Sequence, residues 1–188
     1  MEILTKTELR HRYDEIIRKI RNGAVFIHPS DTIYGLGCDA GNKQAVTVIR
    51  KLKQQFHQPL SVWVPAVEWV REHCFITPQA EEWLQKVPGP YTFILRLKKT
   101  AAVAPQVTLG TGTIGLRLPN HWLGKMVRDL NFPIVTTSAN PTGKPFMTCL
   151  EDLDPDIANN VEFMIYEGEK KARPSTIVNL VEGTIQPR

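Results

Sequence analysis

Along this chain, segments whose hydrophobic residues have the spacing of an α-helix alternate with segments whose hydrophobic residues have the spacing of a β-strand. Thr5 and Glu8 stand in the pattern of a capping box, which satisfies the first free amides of a helix. The apolar residues that follow share one helical face; they are Leu9, Tyr13, Ile16, Ile17 and Ile20. Gly23 stands where such a helix ends. The pattern therefore predicts one helix from the capping box to Gly23 and a buried strand at 24–27.

The remainder of the chain repeats this alternation of elements. Further helices are predicted at 42–54, 67–74, 78–87 and 121–130. Further strands are predicted at 60–64, 91–97, 113–118, 133–136, 161–165, 176–180 and 183–186. Residues 29–37 and 140–148 have the composition of polar loops. This order predicts an α/β fold, in which helices flank one twisted mixed β-sheet within a single domain spanning residues 1–188.

The composition narrows the class of protein. The 188 residues are 42% hydrophobic and 22% charged, which is enough apolar material for a core and excludes wholesale disorder. The apolar runs fall short of the roughly 18 residues that a membrane span needs. The first residues are polar and lack the apolar segment of a secretion signal. The three cysteines are scattered, which favours a reducing cytoplasm over a disulfide framework or a thiolate metal site.

The net positive charge weakly favours a ligand that contains phosphate. The chain carries a net charge of +4, and its isoelectric point is near 9.0. Mildly basic proteins often bind nucleotides or nucleic acids. Ordinary surface lysines would explain the same balance equally well.

Several polar segments follow predicted strands, where α/β proteins usually bind ligands. Ser30 and Thr32 flank a carboxylate in one of them, and residues 136–145 gather small hydroxyl and amide groups in another. Such groups suit a nucleotide pocket. The alternative for both segments is a polar turn that bonds to itself.

Two groups of cations are further candidates. Lys51 and Lys53 could hold phosphate oxygens, or they could only complement the negative end of a helix dipole. Arg117 lies in an apolar strand and could bind a carboxylate or phosphate through two hydrogen bonds, or form a structural ion pair. No P-loop, GxGxxG, HExxH or GxSxG motif occurs, and the five histidines show no metal-ligand spacing.

Five short segments, in chain order, match a known set of motifs. They are SDTIYGLGCD at 30–39, PGPYTF at 88–93, GLRLP at 115–119, TSAN at 137–140 and PST at 174–176. Together they resemble the motifs of the YrdC/Sua5 family, the threonylcarbamoyl-AMP synthases of tRNA modification. Two positions depart from the family pattern: Gln55 stands where the family has arginine, and Ser30 where it usually has threonine. The length resembles the single-domain YrdC form, without the additional domain of longer Sua5 proteins.

The resemblance implies a nucleotidyltransferase. Its substrates would be L-threonine, bicarbonate and ATP, with Mg²⁺, and its products threonylcarbamoyl-AMP and pyrophosphate. A downstream tRNA threonylcarbamoyl transferase would use the product to modify an adenosine of certain tRNAs. This protein would be cytoplasmic and would have no membrane partner.

The resemblance also implies roles for individual residues. The threonine would be bound by Arg117, Ser30, Thr32, Gln58 and Ser138. The nucleotide would be bound by Lys51, Lys53, Gln55, Thr113, Asn140, Thr148 and Arg188. The catalytic groups would be Lys51, Lys53 and Arg117, with Lys51 or Lys53 compensating for the arginine that Gln55 replaces.

Three other functions remain open at this stage. The chain could be a binding module for double-stranded RNA or tRNA, whose affinity would fall steeply with salt. It could belong to a YciO-like branch without synthase activity. It could also transfer a carbamoyl group to another acceptor.

Overall fold

The computed structural model describes residues 1–98 and 102–187. The strands are β1 (Glu2–Leu4), β2 (Phe26–His28), β3 (Gly35–Gly37), β4 (Ser61–Trp63), β5 (Tyr91–Arg96), β6 (Thr113–Arg117), β7 (Ile134–Ser138), β8 (Phe163–Ile165), β9 (Thr176–Asn179) and β10 (Thr184–Gln186). The helices are α1 (Lys6–His11), α2 (Tyr13–Arg21), α3 (Lys43–Lys53), α4 (Val67–His73), α5 (Pro78–Leu84), α6 (Pro105–Thr108), α7 (Gly124–Leu130) and α8 (Pro155–Asn160), with one 3₁₀ turn at Leu150–Asp152. None of the helices in these two ranges is long and apolar enough to cross a bilayer.

The starts of α1, α3 and α5 are set by local side-chain hydrogen bonds. The capping box at the start of α1 forms as predicted, with Thr5 and Glu8 bonding to each other's backbone amides. Asn42 caps α3 through the amides of Gln44 and Ala45. Thr77 caps α5 in the same way, ahead of a proline in the first turn.

The described strands form one mixed sheet in the order β1-β8-β2-β3-β7-β4-β6-β5-β9-β10. Four neighbouring pairs are parallel, namely β1 with β8, β8 with β2, β4 with β6 and β5 with β9. The other neighbouring pairs are antiparallel. This confirms the predicted α/β fold with a mixed sheet flanked by helices.

The two faces of the sheet are packed differently. One face joins α3, α4, α5, α6 and α8 in a large apolar cluster that includes Val62, Leu116 and Val135. The other face joins α1, α2 and α7 in a smaller cluster around Trp63 and Phe163. Beyond that smaller cluster, the same face carries small polar side chains and a glycine instead; they are Ser61, Thr92, Gly115 and Thr136.

The N-terminal helix is not continuous, contrary to the sequence prediction. It breaks at Arg12, whose backbone leaves the helical region (φ −110°, ψ 23°). The Arg12 guanidinium donates hydrogen bonds to the carboxylates of Glu2 and Glu15, and these hold the bend. Leu9 before the break and Ile16 after it are both buried in the smaller cluster. Both helix segments therefore pack into the same apolar cluster.

A strand replaces part of the predicted loop at 29–37. Gly35–Gly37 forms β3, which pairs antiparallel with both β2 and β7. The sequence gives no strand signal here because glycine has a low β propensity. The glycines are required by packing, since a Cβ on Gly37 would lie 2.9 Å from Cδ2 of His28.

Other corrections concern short elements and their ends. The sequence prediction also missed β1, α6 and α8, which have three, four and six residues and are too short to show a period. The helix predicted at 121–130 begins only at Gly124, because the chain turns where the His121 amide bonds to the Pro119 carbonyl. The helix predicted at 78–87 ends at Leu84.

We predict that Gly37→Ala lowers the free energy of unfolding by about 1–3 kcal/mol, because the added methyl group must displace the buried rings of His28 and Phe26. Gly124→Ala is the matched control. There a Cβ would meet only the Arg128 guanidinium, at 3.4 Å, so the stability should stay level or rise by up to about 1 kcal/mol. Urea unfolding of both variants tests this, and equal stabilities would contradict it.

Candidate active site

The open part of the second sheet face forms a small cavity of about 80 Å³, here called the inner cavity. Its polar lining comes from all five sequence motifs; it includes Ser30, Thr32, Thr92, Arg117, Thr137, Ser138 and Ser175. A buried water needs about 10–15 Å³ of such space, so the cavity has room for about five to eight water-sized groups, the size of a small amino acid. The convergence of the motifs on one cavity is therefore observed.

The loop after β2 is organised by the hydroxyl of Ser30. That hydroxyl accepts hydrogen bonds from the amides of Thr32 and Ile33, at 3.0 and 3.2 Å, and donates one to the Ile33 carbonyl at 2.8 Å. It also lies 2.9 Å from the Thr32 hydroxyl. The segment is therefore a turn held by its own hydrogen bonds and also part of the cavity wall, since the Ser30 and Thr32 hydroxyls line the inner cavity.

Arg117 enters the inner cavity from β6 on the side opposite Leu116, as the alternation of the strand predicts. Its Nη2 donates to Asp31 Oδ1 at 2.7 Å, and the two side chains are only 8% and 12% exposed. The other Asp31 oxygen accepts from the Asn120 amide at 3.1 Å. Asp31 therefore fixes the guanidinium and balances its charge.

Two further hydroxyl contacts close the wall of the cavity. Thr92 on β5 and Ser175 ahead of β9 lie 2.7 Å apart, which links the second and fifth motifs. Ser61 on β4 donates to the Thr136 carbonyl on β7 at 2.7 Å. These contacts use short side chains, so the sheet surface stays open to a ligand.

The inner cavity opens into a larger space of about 660 Å³, here called the outer groove. The two share Ser61, Thr92, Thr137, Ser138 and Phe146 in their linings. The groove is also lined by Lys53, Gln55, Gln58, Pro59, Thr113, Asn140, Gly143 and Lys144. Its volume lies within the roughly 300–1,000 Å³ typical of small-molecule sites.

Lys53 is the buried cation of the outer groove. Its ammonium donates to the backbone carbonyl and hydroxyl of Ser138, at 2.8 and 3.0 Å. It also donates to the backbone and side-chain oxygens of Asn140, at 2.6 and 3.0 Å. All four acceptors are neutral. Burial without a carboxylate lowers the pKa of Lys53 to about 8, so it is mostly charged at neutral pH.

A second buried cation, Arg50, lies next to the groove and was missed by the sequence reasoning. Its guanidinium donates to the carbonyls of Gln55 and Gln58, at 2.7 and 3.1 Å, and to that of Gln106 at 2.6 Å. Arg50 therefore holds the loop after α3 in place. A signal was present, because Val46, Ile49, Arg50 and Lys53 recur at helical spacing and are all buried.

The predicted site residues divide into three groups. Those that line the inner cavity or the outer groove are Ser30, Thr32, Lys53, Gln55, Gln58, Thr113, Arg117, Ser138 and Asn140. Lys51 and Thr148 line neither space. Arg188 lies outside the described residues.

The positions of Lys51 and Thr148 have simple causes. Lys51 precedes Lys53 by two residues, which places it about 200° away around α3, on the exposed side. The Thr148 hydroxyl donates to the Asp152 carboxylate at 2.7 Å, at the start of the 3₁₀ turn.

Carboxylates are absent from the described linings of both spaces. Asp31 is not part of either lining but bonds to Arg117, which lines the inner cavity. Across residues 1–98 and 102–187, no cluster of three or more His, Cys, Asp or Glu side chains could bind a metal ion.

Comparisons with known proteins identify the family. The family model of the Sua5, YciO and YrdC proteins, described as "Telomere recombination", matches residues 18–187. The chain belongs to this family.

Two curated relatives carry a named activity. The threonylcarbamoyl-AMP synthase of Bacillus subtilis is 35% identical over 76% of this chain, and this chain covers 43% of its length. A Methanocaldococcus jannaschii protein is 31% identical over 95% of this chain, which covers 85% of its length. The name of that protein assigns the same activity provisionally.

Solved structures agree with the fold. The structure of Pyrococcus abyssi Sua5 in complex with L-threonine matches this chain with a TM-score of 0.82 and 27% sequence identity. The match covers 98% of this chain and 55% of the Pyrococcus abyssi chain. The Escherichia coli YciO also has a TM-score of 0.82, at 22% identity, covering 98% of this chain and 91% of its own. This chain thus spans about half of the Sua5 structure.

The buried charge of Lys53 predicts a pH dependence of stability. Its pKa is about 8 in the folded protein and 10.5 as the ordinary value, so the unfolded chain binds more protons between these pH values. The free energy of unfolding should therefore rise with pH across that window, by about 3 kcal/mol relative to Lys53→Met. Urea unfolding at pH 7 and pH 10 measures the difference, and parallel pH profiles of the two proteins would contradict it.

Proposed function

We propose that this protein synthesises threonylcarbamoyl-AMP from L-threonine, bicarbonate and ATP, as a nucleotidyltransferase. The observation that carries the proposal is the junction of two spaces at Ser138, one the size of an amino acid and one the size of a nucleotide. The names of the relatives and the threonine complex of the Pyrococcus abyssi protein support it.

The inner cavity suits a free amino acid. Arg117 and Asp31 form an ion pair whose net charge is zero, which matches a zwitterion such as threonine. In this assignment the Arg117 guanidinium binds the threonine carboxylate, because its planar donors fit a carboxylate in two parallel hydrogen bonds. Thr32 and Ser138 line the same cavity and offer oxygens to the polar groups of the substrate.

The outer groove suits a polyphosphate. Lys53 supplies a positive charge that no protein carboxylate among its contacts balances. Gln55, Thr113 and Asn140 add neutral hydrogen-bonding groups along the groove. Gln58, which the resemblance assigns to threonine, lines this groove and not the inner cavity. The nucleotide would place its α-phosphate at the junction with the inner cavity and extend its outer phosphates towards Lys53.

The reaction needs no covalent bond to the protein. The neutral threonine amine bonds to the carbon of carbon dioxide and gives up a proton to water, or bonds to the carbon of bicarbonate and releases a water molecule; either route forms a carbamate. A carbamate oxygen then attacks the α-phosphate, and the bond to pyrophosphate breaks. The protein contributes by placing the two reactants in contact and by stabilising charge on the departing pyrophosphate.

Magnesium would enter as part of the substrate. Mg²⁺ prefers carboxylate, water and phosphate oxygens, and the described lining of the groove has no carboxylate to offer. The phosphates of ATP, with bound water, would therefore hold the ion, and the protein would bind the complex.

The later steps stay predictions. A tRNA threonylcarbamoyl transferase would consume the product, and binding of double-stranded RNA or tRNA is not needed for the chemistry described here. Affinity for RNA that falls steeply with salt would support direct binding.

Purified protein should release pyrophosphate only when threonine, bicarbonate and ATP are all present. Omitting each reactant in turn tests the proposal, and serine, alanine and glycine in place of threonine define the amino acid. Pyrophosphate release at the same rate without threonine would contradict the proposed function. If no combination of reactants releases pyrophosphate, the YciO-like alternative is favoured.

Arg117→Lys should weaken threonine binding about 10- to 100-fold, because a lysine keeps the charge beside Asp31 but loses the paired donors. Arg96→Lys is the matched control, since Arg96 lies exposed on the neighbouring strand β5. Isothermal titration of both variants with threonine measures the change. Equal affinities would show that Arg117 does not bind the carboxylate.

A further inference from the structure

The outer groove is lined by two lysines that differ in how they are held. Lys53 is buried, and Lys144 is exposed on the turn after β7. Gln55 and Gln58, which line the same groove, are neutral and bond to each other at 3.0 Å. The described lining therefore supplies two positive charges for an anionic ligand.

Lys53 has no hydrogen left to direct at a ligand. An ammonium group has three donors, and four oxygens of Ser138 and Asn140 surround this one within 3.0 Å. Lys53 therefore attracts a phosphate only through the electrostatic field of its charge, without a hydrogen bond to it. A direct hydrogen bond from a cation must come from another side chain.

The backbone of Lys144 is fixed relative to Lys53. The Asn140 side-chain amide donates to the Lys144 carbonyl at 2.6 Å, and the Lys144 amide donates to the Pro141 carbonyl at 3.1 Å. Thr142 in the same turn donates to the Lys53 carbonyl through both its amide and its hydroxyl, at 2.9 and 2.7 Å. The turn at 141–144 is thus bound to the end of α3.

The Lys144 side chain itself is available. Within residues 1–98 and 102–187, no hydrogen bond or ion pair holds its ammonium. A long cationic side chain on a fixed backbone, at the edge of a groove without carboxylates, can bond to an anion without first breaking an ion pair.

We propose that Lys144 donates directly to the outer phosphates of the bound nucleotide and is the second phosphate-binding cation of the site. This rests on the proposed function and adds to it. Lys53 would set the potential of the groove, and Lys144 would contact the polyphosphate.

The test compares ATP with adenosine by isothermal titration. Lys144→Met should weaken ATP binding about 10- to 100-fold and leave adenosine binding unchanged, because adenosine has no phosphate. Lys43→Met removes the same charge from the exposed first turn of α3, outside the groove, and should bind ATP as the wild type does. Adding Gln55→Arg to Lys144→Met should restore part of the ATP affinity, since it puts a cation back on the groove wall.

The possible failures are distinct. If Lys144→Met and Lys43→Met bind ATP equally well, Lys144 does not contact the phosphates. If Lys144→Met weakens adenosine and ATP equally, the substitution has disturbed the turn and the inference is wrong. If the wild type binds no ATP, the proposed function fails, and this inference fails with it.

Discussion

The second face of the sheet is only partly covered by helices, and the site depends on this. Where α1, α2 and α7 pack, the face presents large apolar side chains such as Trp63 and Phe163. Further along, the strands present Ser61, Thr92 and Gly115. These residues offer too little apolar surface for a helix to pack against the sheet there. On Gly115 a Cβ would already approach Ser61 Cβ to 3.3 Å. The apolar cluster on the first face stabilises the sheet, so the open part of the second face is free to bind a ligand.

Lys53 connects this open surface to the helical layer. It lies on the buried face of α3 in register with Val46 and Ile49, yet its ammonium bonds to the end of β7. An unpaired buried cation is costly, and hydrogen bonds to neutral oxygens offset only part of that cost. The positive charge is therefore retained at the expense of stability, which is typical of a functional group.

The sequence predicts the fold class, because it follows from the period and order of the elements, whereas the convergence of the motifs on one site is implied by the family resemblance. The two-residue period of β6 separates Arg117 from Leu116, and the structure confirms that separation. The three- to four-residue period of α3 separates Lys53 from Lys51, although their closeness in sequence predicts a single group of cations. The strand β3 could not be predicted, because Gly35 and Gly37 are selected by the rings of His28 and Phe26, which only the folded chain brings near. The bond between Asp31 and Arg117 likewise joins residues 86 positions apart.

The distribution of charge separates the two spaces. In the inner cavity Asp31 balances Arg117, so the local field is small and a ligand with no net charge can enter at little electrostatic cost. In the outer groove the oxygens that hold Lys53 are neutral, so its charge persists and favours an anion. An anion placed there would also raise the pKa of Lys53 from about 8, which makes anion binding and protonation mutually reinforcing. Ser138 lines both spaces, so a ligand that fills them together passes its side chain.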